Sequence, residues 1–194
     1  VLNNISGRDE LIAEWKKLDK LQPPQISGRT YMKGRIFYRK TMPGQSVGKL
    51  YYRENLSGKE QLLFDPLTYI KGKTLSIQNF IPGFDAKYVA IAYSENGAEI
   101  ATIRVMDVAT RKFTKDKLYP TAGVQGWGFD NKSLLYMWLK SADNKDPQAR
   151  LNPKTKLHVI GGESKNDVDF FSNASYPDLK IESKAYPFVF VTND

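Results

Sequence analysis

One seven-residue pattern occurs twice in this chain, and it limits the possible folds more than anything else. Phe84-Asp85-Ala86-Lys87-Tyr88-Val89-Ala90 returns 45 residues later, counted from Phe84 to Phe129, as Phe129-Asp130-Asn131-Lys132-Ser133-Leu134-Leu135. Looser copies read Lys33-Gly34-Arg35-Ile36-Phe37 and Glu182-Ser183-Lys184-Ala185-Tyr186-Pro187-Phe188, giving basic anchors at Arg35, Lys87, Lys132 and Lys184. A second element keeps step with the first: Ala101-Thr102-Ile103-Arg104-Val105-Met106-Asp107 aligns with Thr155-Lys156-Leu157-His158-Val159-Ile160 and with Lys49-Leu50-Tyr51-Tyr52-Arg53. Each unit is a polar turn, an apolar strand, a loop and a second strand that ends in a turn. An Asp or Asn at such a turn can hydrogen-bond its own backbone. The basic residue then stays in solvent while the residues after it enter a sheet. Repeats of roughly 45–50 residues with several strands each predict β-propeller blades. A β-sandwich whose turns happen to look alike is the alternative.

Only one segment reads as helix. From Asp9 to Leu21 the apolar residues Leu11, Ile12, Trp15 and Leu18 share one helical face. Ser6 with Asp9 predicts a capping box, and Pro23-Pro24 ends the helix. The period then changes to two. Arg35 to Arg39, Lys49 to Arg53 and Gln61 to Phe64 are strand candidates, separated by the turns Pro43 to Ser46 and Asn55 to Gly58 and stopped by Asp65-Pro66. Strands with short polar turns predict an antiparallel meander. Lys140 to Pro153 is polar and reads as a loop. The expected fold class is mainly β: a partial β-propeller of about three blades of four-stranded antiparallel sheet, preceded by one N-terminal helix. The expected division is an N-terminal helical linker over 1–30 and a partial propeller over 31–194. Its blades fall near 31–80, 81–125 and 126–175, with the start of a further blade over 176–194. The chain opens on Val1 without a signal-peptide pattern, and is expected to be a piece of a larger protein.

Composition narrows the chemistry. The chain is 41% hydrophobic and 12% aromatic, which suits a packed globular fold. There is no cysteine, so disulfides and thiolate metal sites are excluded. No apolar run reaches the roughly 18–20 residues of a membrane-spanning helix. The net charge of +8 is spread along the sequence. It reads as a solvated surface, with no nucleic acid and no membrane partner expected. A polyanion-binding β domain is the alternative. Compartment stays open between cytoplasm and periplasm or secretion, leaning to the periplasm.

Gly44-Gln45-Ser46-Val47-Gly48 matches G-x-S-x-G, the nucleophile elbow of α/β-hydrolases. That elbow needs a helix after the serine, whereas Lys49 to Arg53 reads as a strand, so Ser46 is expected in a hairpin loop. His158 is the only histidine, within a strand pattern between Leu157 and Val159. It is expected to face outward or to be a hydrogen-bonded structural residue. With a lone histidine and no clustered carboxylates, no metal and no cofactor are expected, and no residue is assigned a catalytic role. Gly123-Val124-Gln125-Gly126 reads as a turn ahead of a repeat strand. Trp127 and Trp138 are expected in the core, with the rim of a cavity as the alternative.

Taken in order, several of these motifs resemble one family. Gly34-Arg35-Ile36-Phe37-Tyr38-Arg39, then Lys49 to Arg53, then Leu63-Phe64-Asp65-Pro66 are similar to the opening propeller strands of prolyl oligopeptidase-family serine peptidases. Phe84 to Tyr93, Ile103 to Asp107, Trp127 to Tyr136 and Leu157 to Gly161 continue the likeness in sequence order. Asp85-Ala86 departs from it by lacking the usual glycine, and Pro187 by interrupting the last strand. The resemblance implies a seven-bladed propeller that covers the active site of a C-terminal α/β-hydrolase domain and gates access by short peptides, which the parent enzyme cleaves after proline. The triad would lie in that other domain, so this chain alone would be inactive. A non-enzymatic propeller module that binds a protein or peptide is the alternative. Three blades cannot close a ring of seven, so self-association of the chain is expected.

Overall fold

The computed structural model describes residues 5–192. Helix α1 spans Arg8–Leu21. The expected capping box is not made: Gly7 is the N-cap, in a left-handed conformation with φ 77°, and no side chain caps the helix. The apolar stripe is present, yet no residue of α1 is buried, and Leu11, Trp15 and Leu18 are all exposed.

Four strands follow: β1 (Gln25–Met32), β2 (Arg35–Thr41), β3 (Lys49–Glu54) and β4 (Gln61–Phe64). They form one antiparallel sheet in the order β1-β2-β3-β4. Pairing thus starts at Gln25, immediately after Pro23-Pro24 and inside the segment expected to be linker. Asp65 stops β4 by accepting a hydrogen bond from the Leu67 amide, which caps the four-residue helix α2 (Pro66–Tyr69).

The remaining strands are β5 (Leu75–Pro82), β6 (Tyr88–Glu95), β7 (Ala101–Asp107), β8 (Lys112–Trp127), β9 (Ser133–Trp138), β10 (Lys154–Val159) and β11 (Val168–Phe171). All seven make one continuous antiparallel sheet. The continuity comes from β8, which is 16 residues long. Its first half pairs with β7, up to Ala101 opposite Thr121, and its second half pairs with β9, from Thr121 opposite Trp138 to Trp127 opposite Leu134. Two four-stranded units therefore share one strand, and with β1–β4 they give three units, the number expected for the blades.

The units stack face to face, which explains the unusual burial of the middle one. In β6, every residue from Val89 to Ser94 is buried. Val89, Ile91 and Tyr93 pack with Phe37, Leu50, Tyr52 and Phe64 of the first sheet. Ala90 and Ala92 face the other way, toward Trp127, Leu134 and Tyr136. Side chains alternate across a strand, so Val-Ala-Ile-Ala places large residues against one neighbour and small ones against the bulky aromatics of the other. Each fully buried Leu, Ile or Phe in these layers contributes about 1.5–3 kcal/mol.

The sequence repeat is a structural one. Lys33, Ala86 and Asn131 adopt the same left-handed conformation, with φ of 46°, 56° and 54°. The next residue in each turn offers its carbonyl to the end of the hairpin: Gly34 accepts from the Asn55 amide, Lys87 from Val108 and Lys132 from Ile160, at 2.7, 2.9 and 2.8 Å. The true counterpart of Lys87 and Lys132 is thus Gly34. Arg35, the expected anchor, lies one residue further on and opens β2, as Tyr88 opens β6. The fourth copy does not hold. Lys184 lies in a turn, and the segment after it runs beside β8. Gln125 donates to the Pro187 carbonyl and accepts from the Val189 amide, and Val191 lies over Gly126. That segment packs along β8 and forms no strand of its own.

Neighbouring units are also joined through polar side chains of β2 and β5. Asn79 on β5 donates from Nδ2 to the Val124 carbonyl at 2.7 Å and accepts the Val124 amide at 3.2 Å. Arg39 on β2 donates to the Ile77 carbonyl. Replacing Asn79 with alanine removes two hydrogen bonds and strands two backbone groups of β8. A loss of about 2 kcal/mol is expected, read as a lower denaturant midpoint with an unchanged m-value. Gly123 and Gly126 lie within β8, not in the turn expected for them. A Cβ at Gly123 would lie 3.1 Å from the Asn79 amide oxygen, and one at Gly126 would lie 3.2 Å from Val191, so both mark close approach of chains.

Candidate functional site

The densest cluster of buried titratable groups lies where the second and third units diverge. It starts from strand alternation. In Lys115-Asp116-Lys117-Leu118 the two lysines point to solvent, while Asp116 and Leu118 point inward and are 3% and 1% exposed. His158 does the same on β10 and is 1% exposed. Its Nε2 lies 2.9 Å from Asp116 Oδ1, and its Nδ1 lies 2.7 Å from Asp167 Oδ1. The Gly161 amide donates to the same Asp116 oxygen at 2.6 Å, and the Tyr136 hydroxyl donates to Asp167 Oδ2 at 2.8 Å.

The electrostatics follow from this geometry. Burial pushes the His158 pKa down, but the bonds to Asp167 and Asp116 outweigh it and hold the imidazole above its ordinary value of 6.5. Burial also pushes Asp116 up, yet hydrogen bonds from Thr114, His158 and Gly161 keep it below 3.8. Burial, then the bond to Asp167, pushes the Tyr136 phenol up. Arg104 supports the strand from outside the cluster. It donates to the backbone carbonyls of Thr114 and Asp116 and to the Tyr69 hydroxyl.

Chemically, the cluster holds a proton between two carboxylates. The Asp116, His158 and Asp167 side chains are buried, and the adjoining Tyr136 hydroxyl is committed to Asp167. Of the expected alternatives for His158, the structure places it as a hydrogen-bonded buried residue. Ser46 is elsewhere, in an exposed bend of the β2–β3 hairpin loop, followed directly by strand β3. The cleft beside it, about 340 Å³, is lined by Gln25, Ser27, Arg39, Thr41 and Ser76 among others, with no histidine or carboxylate. Ser46 and His158 thus belong to different sheets and are not brought together. Trp127 is buried, donating from its indole to the Ile81 carbonyl at 2.8 Å and stacking on Tyr88. Trp138 packs partly buried on the same core, with Lys156 over its ring. Among the described residues no group of three or more His, Asp or Glu side chains could hold a metal ion. Sequence reasoning missed Asp116 and Asp167. Asp116 shares strand parity with Leu118, the one signal that could have turned it inward.

A family profile describing the prolyl oligopeptidase N-terminal β-propeller domain matches residues 1–186. The chain belongs to the prolyl oligopeptidase family. Solved members superpose well on this propeller segment. One, from a study of two prolyl endopeptidases and the role of inter-domain dynamics in their catalysis and specificity, is 28% identical with a TM-score of 0.74, over 86% of this chain and 25% of that one. Prolyl oligopeptidase B from Galerina marginata, bound to a 25mer macrocyclization substrate, is 17% identical with a TM-score of 0.72, over 90% of this chain and 27% of that one. Oligopeptidase B from Leishmania major is 20% identical with a TM-score of 0.63, over 86% of this chain and 24% of that one. The prolyl oligopeptidase segment described here therefore spans about a quarter of the length of these structures. No curated protein sequence matches it.

Proposed function

We propose that this chain is the N-terminal part of the propeller of a prolyl oligopeptidase-like serine peptidase. In that reading the complete propeller covers the active site, admits short peptides and turns folded proteins away. The parent enzyme hydrolyses peptide bonds after proline by acyl-enzyme chemistry, with serine, histidine and aspartate in a C-terminal α/β-hydrolase domain. That domain and the short peptides are the partners. The observation that carries this reading is the family match over residues 1–186, on a chain whose only histidine has both ring nitrogens taken up by carboxylates.

The purified chain is expected to release no product from a chromogenic Gly-Pro reporter, while the product of a gene that continues into a hydrolase segment with its own G-x-S-x-G cleaves it. Cleavage by the pure chain that disappears in a Ser46→Ala variant would sink the proposal.

A further inference from the structure

We infer that Asp116, His158 and Asp167 form a proton-operated clamp between the second and third units of the propeller. It is shut while the imidazole carries both ring protons and loosened when one is lost.

The location makes the case first. β8 leaves β7 and joins β9 at Thr121. From Lys112 to Leu118 its backbone is paired only with β7, so on this side the third unit is not hydrogen-bonded to it through strand pairing. The Asp116 side chain crosses that gap. It meets His158 on β10 and the Gly161 amide in the turn after β10. On the far side of the ring, Asp167 holds the other nitrogen and is itself held by Tyr136 on β9. The polar contacts across the gap thus converge on Asp116 Oδ1, which accepts from the imidazole and from the Gly161 amide.

Hydrogen-bond chemistry then fixes the proton count. An ionised carboxylate only accepts, and each imidazole nitrogen can donate only if it carries hydrogen. With carboxylates at both nitrogens, the ring must be imidazolium for both bonds to form. If it loses a proton, one nitrogen turns its lone pair toward a buried carboxylate, and two negative charges remain in a site closed to water. No other side-chain cation compensates. Among the described residues, His158 is the only salt-bridge partner of Asp116 and of Asp167. Lys115 and Lys117 lie on the opposite face of β8, although the Lys115 stem passes over Gly161. Lys156 lies over the Trp138 ring, Glu163 pairs with Lys165 at the surface, and Arg104 serves backbone carbonyls.

The direction of the pH response follows. The folded-state pKa of His158 is raised, so its contribution is complete below the ordinary histidine range and is lost as pH rises through the folded value. Asp116 is held low, so its contribution is present above the ordinary carboxylate range and is lost as pH falls through its depressed value. The clamp is strongest between these limits and opens at both ends.

The test uses the single histidine of the chain. Imidazole NMR resonances of His158 are followed against pH, alongside hydrogen exchange of residues 112–118 and 159–168 corrected for intrinsic rates, with β2 and β3 as internal reference. Expected is an imidazole that titrates above the free-histidine value, and at least a tenfold loss of protection in those two segments as it titrates, while the reference keeps its protection. A His158→Gln variant should remove that pH dependence. The idea is overturned if His158 titrates at or below the free-histidine value, if protection does not follow the titration, or if His158→Gln keeps the same dependence. Should His158→Gln not fold, the titration of the unmodified chain decides alone.

Discussion

A His158→Ala variant is expected to unfold about 10 °C below the unmodified chain at neutral pH. The substitution leaves Asp116 and Asp167 facing each other across an empty ring position, with side chains only 1% and 3% exposed. Removing one partner of a buried ion pair costs about 3–5 kcal/mol, because the remaining charge has lost both water and counter-ion. For a domain of about 150–250 residues, each kcal/mol shifts the midpoint by roughly 2–4 °C. The same reasoning predicts partial rescue. Changing Asp116 and Asp167 to asparagine in the His158→Ala background removes the orphaned charges, so the triple variant should be more stable than the single one. Differential scanning calorimetry of the three proteins measures both effects. A single variant within 2 °C of the parent would mean that the cluster is solvated and not a closed electrostatic unit.

Trp127→Ala is the second large effect, of about 3–5 kcal/mol. Trp127 is 1% exposed at the end of β8, stacks on Tyr88 with ring centroids 6.3 Å apart, and fills the space that Ala90 and Ala92 leave open. Truncation opens a cavity where the second and third units meet and also strands the Ile81 carbonyl. Trp127→Phe separates these contributions: it keeps an aromatic body but loses the donor, and should cost about 1–3 kcal/mol. Urea titrations read both, and equal losses for the two variants would assign the whole effect to the hydrogen bond.

The turns were legible in sequence because their chemistry is local. Asp85 and Asp130 each accept the amide of the lysine two residues on, at 2.9 Å, and that short-range bond leaves a recurring Asp-x-Lys. The one-residue slip at Arg35 arose because the left-handed position is occupied by Lys33, Ala86 and Asn131. Three unlike side chains give no common letter at the site that actually sets the register. The fourth copy misled in another way: apart from the proline already seen as a departure, its letters are those of a repeat strand, but the Pro187 carbonyl and the Val189 amide bond to the Gln125 and Thr155 side chains. The buried cluster was least legible of all. Asp116 and Asp167 lie 42 and 9 residues from His158, and nothing in Lys-Asp-Lys tells a solvated charge from one that a neighbouring sheet will cover. Burial is a property of the partner surface, which only tertiary packing supplies.

The strand shared by two sheets bears on how such a chain can gain or lose a repeat. The unit that recurs in the sequence, from Phe84 to Phe129, takes β6, β7 and all of β8, and so ends on a strand already committed to the next sheet. A duplication of that segment would insert a new sheet by extending the old seam, with every backbone partner supplied. A cut placed between the sheets would instead have to sever β8 in mid-strand. The heritable module and the folded module are thus offset from each other by half a strand.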